Sequence, residues 1–519
     1  MSAAYAEMSP DAQPGFARAR AHGEEVERRL QSREMLHAGH EEVESFVERQ
    51  GREWARLMLE AQLALRAELE VRVAVTGADG IERTRVRESE RHLETVVGTV
   101  AVPRLSYQAP GQEDLHPMDA LLNLPAELYS HGVRRMVAKE SSRASFDEVV
   151  ELLRDYSGAE IAKRQVEELA VRAARDFDVF YEERKRGQEE TRDLLVLSTD
   201  GKGIVMRHED LREGTRRAAE EKTNKLETRL SPGEKADRKR MAQVCTVYSI
   251  APWHRTVADV LHGFRSETTE AQRPRPHDKR VWASVEKHPR TVIRQQFEEA
   301  QRRDPEHRRR WVVLVDGEPR QLKAVKAEAR RIGVEVTLVL DVVHVLEYLW
   351  LAGRALFDGS TKECETWVGD RLLALLTGRS GGDVAATIRW WAKRRVEEVD
   401  AAGRKAISSA CRYLANRTRT RLMRYAAALR DGLPIATGVI EGACRYLVKD
   451  RMDRTGACWS LTGAEAILRL RALRASGDFD DYWHLHLARE KARNHMARYA
   501  GASAPDPLPA RRGHLRAVK

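Results

Sequence analysis

The sequence predicts an α/β layer interrupted by an all-α insertion and preceded by a mainly helical region. Three observations predict this. Short apolar runs ending in polar turns alternate with helical stretches between residues 194 and 340. Strand patterns then cease, and residues 342 to about 430 keep helical periodicity. Residues 22 to about 73 and 130 to about 181 also repeat apolar side chains at helical spacing. Strands of a layer covered on both faces read as continuous apolar runs, and amphipathic helices repeat near 3.6 residues.

Along the chain, residues 22–73 read as one long helix or a helical pair carrying Val26, Leu30, Phe46, Trp54 and Leu57 among paired charges. Period-two patterning over 93–97 and 99–107 pivots at Gly98 and reads as a small β element. Residues 109–117, with two prolines and a glycine, read as a linker. Within 130–181, Ser145 opens one helix and Ser157-x-x-Glu160 resembles a capping box opening a second. A helical pair around a Ser-Gly turn is either a packed αα-hairpin or a helix–turn–helix that would set Lys163 and Arg164 in a DNA groove. Strands follow at 194–200, 241–250, 311–315 and 334–340, with helices over 281–303 and 321–332. Loops are expected at 358–360 and 377–382, a helical end runs to about 493, and 501–519 reads as a basic disordered tail.

At 519 residues the chain can hold about three or four domains of roughly 150 residues each. The boundaries expected are 1–117, 118–190, 191–341, 342–432, 433–500 and 501–519. With 42% hydrophobic and 33% charged residues the chain is globular and not intrinsically disordered. Five cysteines with no CxxC argue against a disulfide framework or a zinc ribbon and suit a reducing compartment. No run approaches 18 apolar residues and the first residues lack a signal pattern, so a cytoplasmic, uncleaved protein with no membrane partner is expected. Ninety Lys and Arg against 80 Asp and Glu leave +10, which points to a polyanionic partner.

Two apolar runs end alike, in Ser-Thr-Asp200-Gly-Lys-Gly and Val-Asp316-Gly-Glu-Pro. A carboxylate at an exposed strand end, followed by a flexible glycine, can hold a hard cation beside a phosphate. Asp-Gly is also a turn signal, and it recurs at Asp79, Asp358 and Asp431. Glu441, in Gly-Val-Ile-Glu-Gly-Ala-Cys-Arg-Tyr-Leu-Val-Lys-Asp-Arg-Met, falls in a first helical turn with Arg445, Lys449 and Met452 on related faces. It is either a third metal ligand or a balance to the helix dipole. Asp341 and His344, three apart, share a metal or form a buried structural pair. Neither a P-loop nor HExxH is present, which makes a nucleotide-driven machine or a zincin unlikely. Basic runs at 216–217, 238–240, 302–303, 308–310, 393–395 and 417–424 flank these blocks as either solvated faces or a surface for DNA backbone.

In this order, the STDGKG, VLVDGEP, DVVH and GVIEGACRYLVKDRM…TGACWS blocks resemble bacterial insertion-sequence transposases of the ISKra type, related to the Mutator-like group. The resemblance covers most of the chain from about Met118 and includes Leu-Asn-Leu-Pro at 122–125. It implies an RNase H-like catalytic core interrupted by an all-α insertion, with mainly helical N-terminal DNA-binding regions. It also implies a DDE triad of Asp200, Asp316 and Glu441 holding two Mg²⁺ ions, for which Mn²⁺ substitutes. Asp341 is the alternative second ligand, and with His344 it matches the Asp/Cys-x-x-His pair of Mutator-like enzymes. Lys202, Arg445, Lys449, Arg451, Lys163 and Arg164 are the DNA contacts expected. The activity implied is cleavage and strand transfer at terminal inverted repeats of double-stranded DNA by a homodimer or larger assembly in a bacterial, nucleoid-associated setting. The competing readings are a non-catalytic DNA-binding regulator derived from a transposase and a metal-free hydrolase with paired carboxylates, which the 6% aromatic content fits poorly.

Overall fold

The computed structural model describes residues 14–184, 191–221, 238–264, 273–357, 361–395, 397, 399–418, 420–436, 438–454 and 456–509. The chain forms two compact units, Met1–Glu182 with Phe479–Lys519, and Glu183–Asp478.

In the first unit the helical stretch breaks into Ala17–Leu30, Arg33–His37 and His40–Glu68. Ser32 restarts it by accepting from the Met35 N–H at 3.3 Å. Strands β1 (Arg85–Thr95) and β2 (Gly98–Gln108) form an antiparallel hairpin whose turn uses Gly98 at φ 116°. The hairpin is longer than the patterning predicts because the first half of β1, Arg-Val-Arg-Glu-Ser-Glu, has no apolar alternation and takes its register from β2. Leu93, Val100 and Val102 bury one hairpin face against Leu63 and Leu124.

Four expectations change here. Residues 109–117 are not a free linker, since Leu115 is buried and exchanges backbone hydrogen bonds with Tyr107 at 2.9 Å. Ser145 and Glu148 do form a capping box, at 3.2 and 2.5 Å, on the helix Phe146–Ser157. Ser157, however, ends that helix and does not open the next: its hydroxyl donates to the Leu153 carbonyl at 2.7 Å, and Gly158 follows at φ 68°. The second helix begins only at Lys163. The third change concerns the helix Phe479–Asn494, expected with the catalytic core but clustered with this unit. Arg134 is fully buried and meets Glu490 at 2.9 Å, and the His486 ring nitrogen Nδ1 lies 2.7 Å from Asp176. A buried guanidinium needs such a carboxylate, which ties the terminal helix here. Residues 501–509 are likewise anchored, with the Pro507 carbonyl accepting from Val71 at 2.8 Å; the tail beyond 509 and the loop at 358–360 lie outside the described residues.

The second unit is built on a five-stranded mixed sheet of β3 (Leu194–Val205), β4 (Lys239–Ile250), β5 (His277–Ser284), β6 (Trp311–Val315) and β7 (Val336–Leu340). Their spatial order is β5-β4-β3-β6-β7, with β3, β4 and β5 antiparallel and β6 and β7 running parallel to β3. All five positions of β6 are buried, as its unbroken apolar run requires. Residues 281–284, expected in a helix, instead belong to β5, which pairs with β4 through Cys245 and Trp282. The helix there is Pro289–Arg303, with proline in its first turn and His288 as cap. It packs on β4, and its Gln296 amide donates to Ser198 and Thr246 carbonyls at 2.8 and 3.0 Å.

After β7 come the insertion helices Val342–Leu356, Lys362–Leu376, Gly381–Arg394, Ala401–Thr418 and Tyr425–Arg430. The chain returns to the sheet through Gly438–Met452, and Trp459 bridges beside Met206 at the end of β3 before Leu461–Ala475 packs on β5. Among the described residues no helix is long and apolar enough to cross a membrane.

Candidate active site

The parallel pairing of β3 with β6 sets the site. Ser198 pairs with Leu314, so Asp200, within β3, and Asp316, just past β6, each two residues further on, stand at one level. Asp316 ends its strand as expected, and Gly317 turns the chain at φ 87°. Asp200 does not end its strand: β3 continues to Val205 because β4 pairs with it as far as Lys239. Gly201 and Gly203 are therefore strand residues, and a Cβ on Gly203 would lie 2.9 Å from the Lys239 side chain.

Glu441 enters on the short helix Gly438–Ala443, which continues as a π-helical turn over Cys444–Lys449. A π turn widens the helix and frees carbonyls from the usual ladder. Arg471 takes up two of them, donating to Leu447 at 2.8 Å and to Tyr446. The turn also shifts the helical phase. Arg445 and Lys449 are exposed whereas Met452 is buried, so the related face expected for all three is not kept. Arg451 is buried too, with its guanidinium 4.7 Å from the Trp459 ring centroid, and it serves packing in place of the DNA contact expected.

The carboxylates feel one another. Burial pushes the Asp316 carboxyl above its ordinary value and the charge of Asp200 adds to this, against the Glu318 N–H, which donates to Oδ1 at 2.7 Å. Glu441 is raised by burial and further by Glu347 and Asp200, with His344 opposing. Burial alone would lower His344, but Asp341, Glu347, Asp200 and Asp316 together carry the imidazole above its usual value. The acids around His344 therefore favour its protonated form.

Asp341 is in a different position. It is 2% exposed, caps the helix Val342–Leu356 by accepting from the Val343 N–H at 2.9 Å, and receives its strand register from Val315. Cys444 faces Asp200, its thiol donating to Oδ2 at 3.1 Å, and burial beside that carboxylate pushes the thiol far up. The Asp200 backbone carbonyl accepts from the Gln243 amide at 2.9 Å. Lys202 is exposed one residue beyond Gly201 on β3.

The insertion supplies a wall. A cleft of about 620 Å³ is lined by Asp316, His344 and Glu347 on one side and by Ser409, Tyr413 and Arg417 of the helix Ala401–Thr418 on the other. Tyr413 donates its hydroxyl to the Asp316 carbonyl at 2.9 Å and stacks on Tyr348 at 3.9 Å between centroids. Arg417 lies over Tyr413 at 4.9 Å and closes on Gly317. Nothing local in the sequence marks Tyr413, Cys444 or Arg471 as site residues, and Arg417 is marked only as the start of a basic run. Spacing does place Ser409, Tyr413 and Arg417 on one stripe of a helix, which is the signal available.

Asp316 and His344 thus line one cleft, Asp200 lies level with Asp316 on the next strand, the Glu441 helix packs on β3, and Asp341 caps the helix after β7. Lys163 and Arg164 belong to the other unit, where Lys163 meets Asp147 at 2.6 Å and Arg164 meets Glu168 at 3.0 Å. No protein-family model matches the chain, and no curated protein matches it.

Divalent magnesium takes hard oxygen donors. Asp200, Asp316 and Glu441 offer these, and Glu441 makes no side-chain hydrogen bond or ion pair among the described residues. Both carboxyls are raised first by burial and then by neighbouring acids, and a bound cation would favour their ionised forms, so the donor chemistry fits. Among the described residues no three acidic, His or Cys side chains are yet gathered tightly enough to hold one ion.

Proposed function

We propose that the chain is a DDE-type DNA transposase whose second unit is an RNase H-like core split by the helical insertion. The observation that carries this reading is the level placing of Asp200 and Asp316 by the parallel pairing of β3 with β6, with the Glu441 helix packed on β3 so that Cys444 reaches Asp200. The sheet order, three antiparallel strands followed by two parallel ones, supports the fold assignment. Asp316 is favoured over Asp341 as second ligand because Asp316 lines the cleft whereas Asp341 is buried.

In this reading Asp200, Asp316 and Glu441 hold Mg²⁺, which when bound polarises the scissile phosphate and lowers the pKa of attacking water. Gly317 keeps the backbone after Asp316 tightly turned, and Tyr413 fixes the carbonyl of Asp316 so that its carboxylate stays directed at the cleft. His344, whose protonated form the surrounding acids favour and which lies 3.4 Å from Glu347, would set positive charge beside the phosphate when protonated. Nicking would expose a 3′-hydroxyl that attacks target DNA, and each joining conserves the phosphodiester, so no nucleotide hydrolysis is needed.

The test is cleavage and strand transfer on a labelled duplex carrying the element's own end, with Mg²⁺ or EDTA. The parent should give products only with Mg²⁺, while Asp200→Asn, Asp316→Asn and Glu441→Gln should bind DNA and give none. Binding with no metal-dependent product from the parent would replace the enzyme by a DNA-binding regulator. An active Asp316→Asn beside a dead Asp341→Asn would reassign the second ligand.

A further inference from the structure

Residues 389–424 hold eleven Lys and Arg against three Asp and Glu, a surplus of eight in a chain whose net charge is +10. The insertion folds part of this segment into a groove of about 490 Å³ between the helices Gly381–Arg394 and Ala401–Thr418. Arg389, Lys393, Arg404 and Arg412 line it, and among the described residues no carboxylate does. Exposed arginines elsewhere in this unit commonly sit on acids, as Arg217 does on Glu213 at 2.7 Å and Arg310 on Asp431 at 2.9 Å. Arg389, Lys393 and Arg412 make no ion pair among the described residues, and Arg404 donates only to the Val399 carbonyl, at 2.5 Å. Four cations left together in this way repel one another, and the fold does not compensate them.

The helix Ala401–Thr418 carries two adjacent stripes. Arg404, Ser408, Arg412 and Asn416, four apart, face the groove, whereas Ser409, Tyr413 and Arg417, one position on, line the cleft at Asp316. Successive positions on such a stripe lie about 6 Å apart, so the groove stripe presents a row of donors along its length. Its neutral members, Ser408 and Asn416, can donate to phosphate oxygens as readily as the arginines.

We infer that this groove binds the phosphodiester backbone of the DNA that enters the Asp316 cleft, so that one helix both grips the strand and forms the wall of the site. The inference deepens, and rests on, the transposase reading. It makes the insertion a substrate clamp whose contacts are to phosphates and carry no base sequence.

The test is binding of a labelled random-sequence DNA duplex by the full chain in EDTA across a salt series. The variants are Arg389→Gln/Arg404→Gln/Arg412→Gln, the same three positions changed to Lys, and Arg290→Gln/Lys326→Gln/Arg330→Gln on exposed surface away from the groove. Losing three phosphate contacts should reduce the slope of log K against log salt by about 2.7, at roughly 0.9 per contact. The Lys variant should keep the parent slope, which separates charge from folding, and the remote triple should change it little. A parent-like slope and affinity in the groove triple would overturn the inference, as would an equal loss in the remote triple. Tighter binding of duplex RNA with the same slope loss would overturn the assignment to DNA. If the slope falls as expected but the parent yields no Mg²⁺-dependent product, the groove stands and the transposase reading fails; if the parent cleaves and the slope is unmoved, the reverse holds.

Discussion

Gly317 joins β6 to the cleft, and replacing it by alanine measures how tightly Asp316 is held. Its φ of 87° lies where an L side chain is strained, at a cost of about 1–2 kcal/mol. An added Cβ would stand 2.9 Å from the Leu340 side chain and closer still to Arg417, and such overpacking costs typically about 1–3 kcal/mol. Gly317→Ala should therefore lose about 2–5 kcal/mol if the turn is kept. Gly333→Ala is the matched control: it also has positive φ, at 71°, but a Cβ there meets nothing within 4 Å, so only the strain of about 1–2 kcal/mol remains. Urea unfolding followed by a probe in the second unit gives both losses, and the Mg²⁺ cleavage assay shows whether the turn has relaxed by moving Asp316. A Gly317→Ala loss no larger than that of Gly333→Ala, with parent-like cleavage, would refute the account of a turn packed against Leu340 and Arg417.

Two further outcomes follow from charge. Because the Asp316 carboxyl is raised by burial, the folded state disfavours its ionised form, and the destabilisation grows as pH rises above the ordinary value of 3.8. Asp316→Asn should thus melt higher than the parent at pH 7, with the gain vanishing in acid, while abolishing cleavage; a lower melting temperature at pH 7 would contradict this. In the first unit, burial works against the Glu490 carboxylate, but Arg493 and Arg134 hold it down to about 2. Its stabilisation is present above 4.5 and lost as pH falls towards 2, so urea unfolding of this unit should weaken across that window. Arg134→Met, which removes one of the two guanidiniums that hold Glu490 and leaves it Arg493, should destabilise this unit at pH 7 and lose part of that acid dependence.

Much of the architecture is legible locally. The run Trp-Val-Val-Leu-Val is apolar at every position, so it can only be a strand covered on both faces or a core helix, and Asp-Gly after it sets the turn. Ser145 with Glu148 marks a helix start, and Gly98 marks a hairpin, because capping and positive φ depend on residues within a few positions. Asp200, Asp316 and Glu441 stand out for the same reason, as acids beside glycines in otherwise apolar stretches.

What the chain itself determined, then, is where its most apolar strands and its Ser-capped helix lie, which short blocks carry acids, and where the cations gather. Tertiary structure decided the rest. Residues 281–284 are a strand because β4 offers them a partner, and Asp200 lies within a strand because β4 extends beside it. Arg451 turns inward onto Trp459, and Tyr413 and Arg417 reach Asp316 from about a hundred residues away. Periodicity and capping report forces between residues a few positions apart, whereas strand pairing, buried charge and the walls of a cleft arise between segments that meet only once the chain has folded.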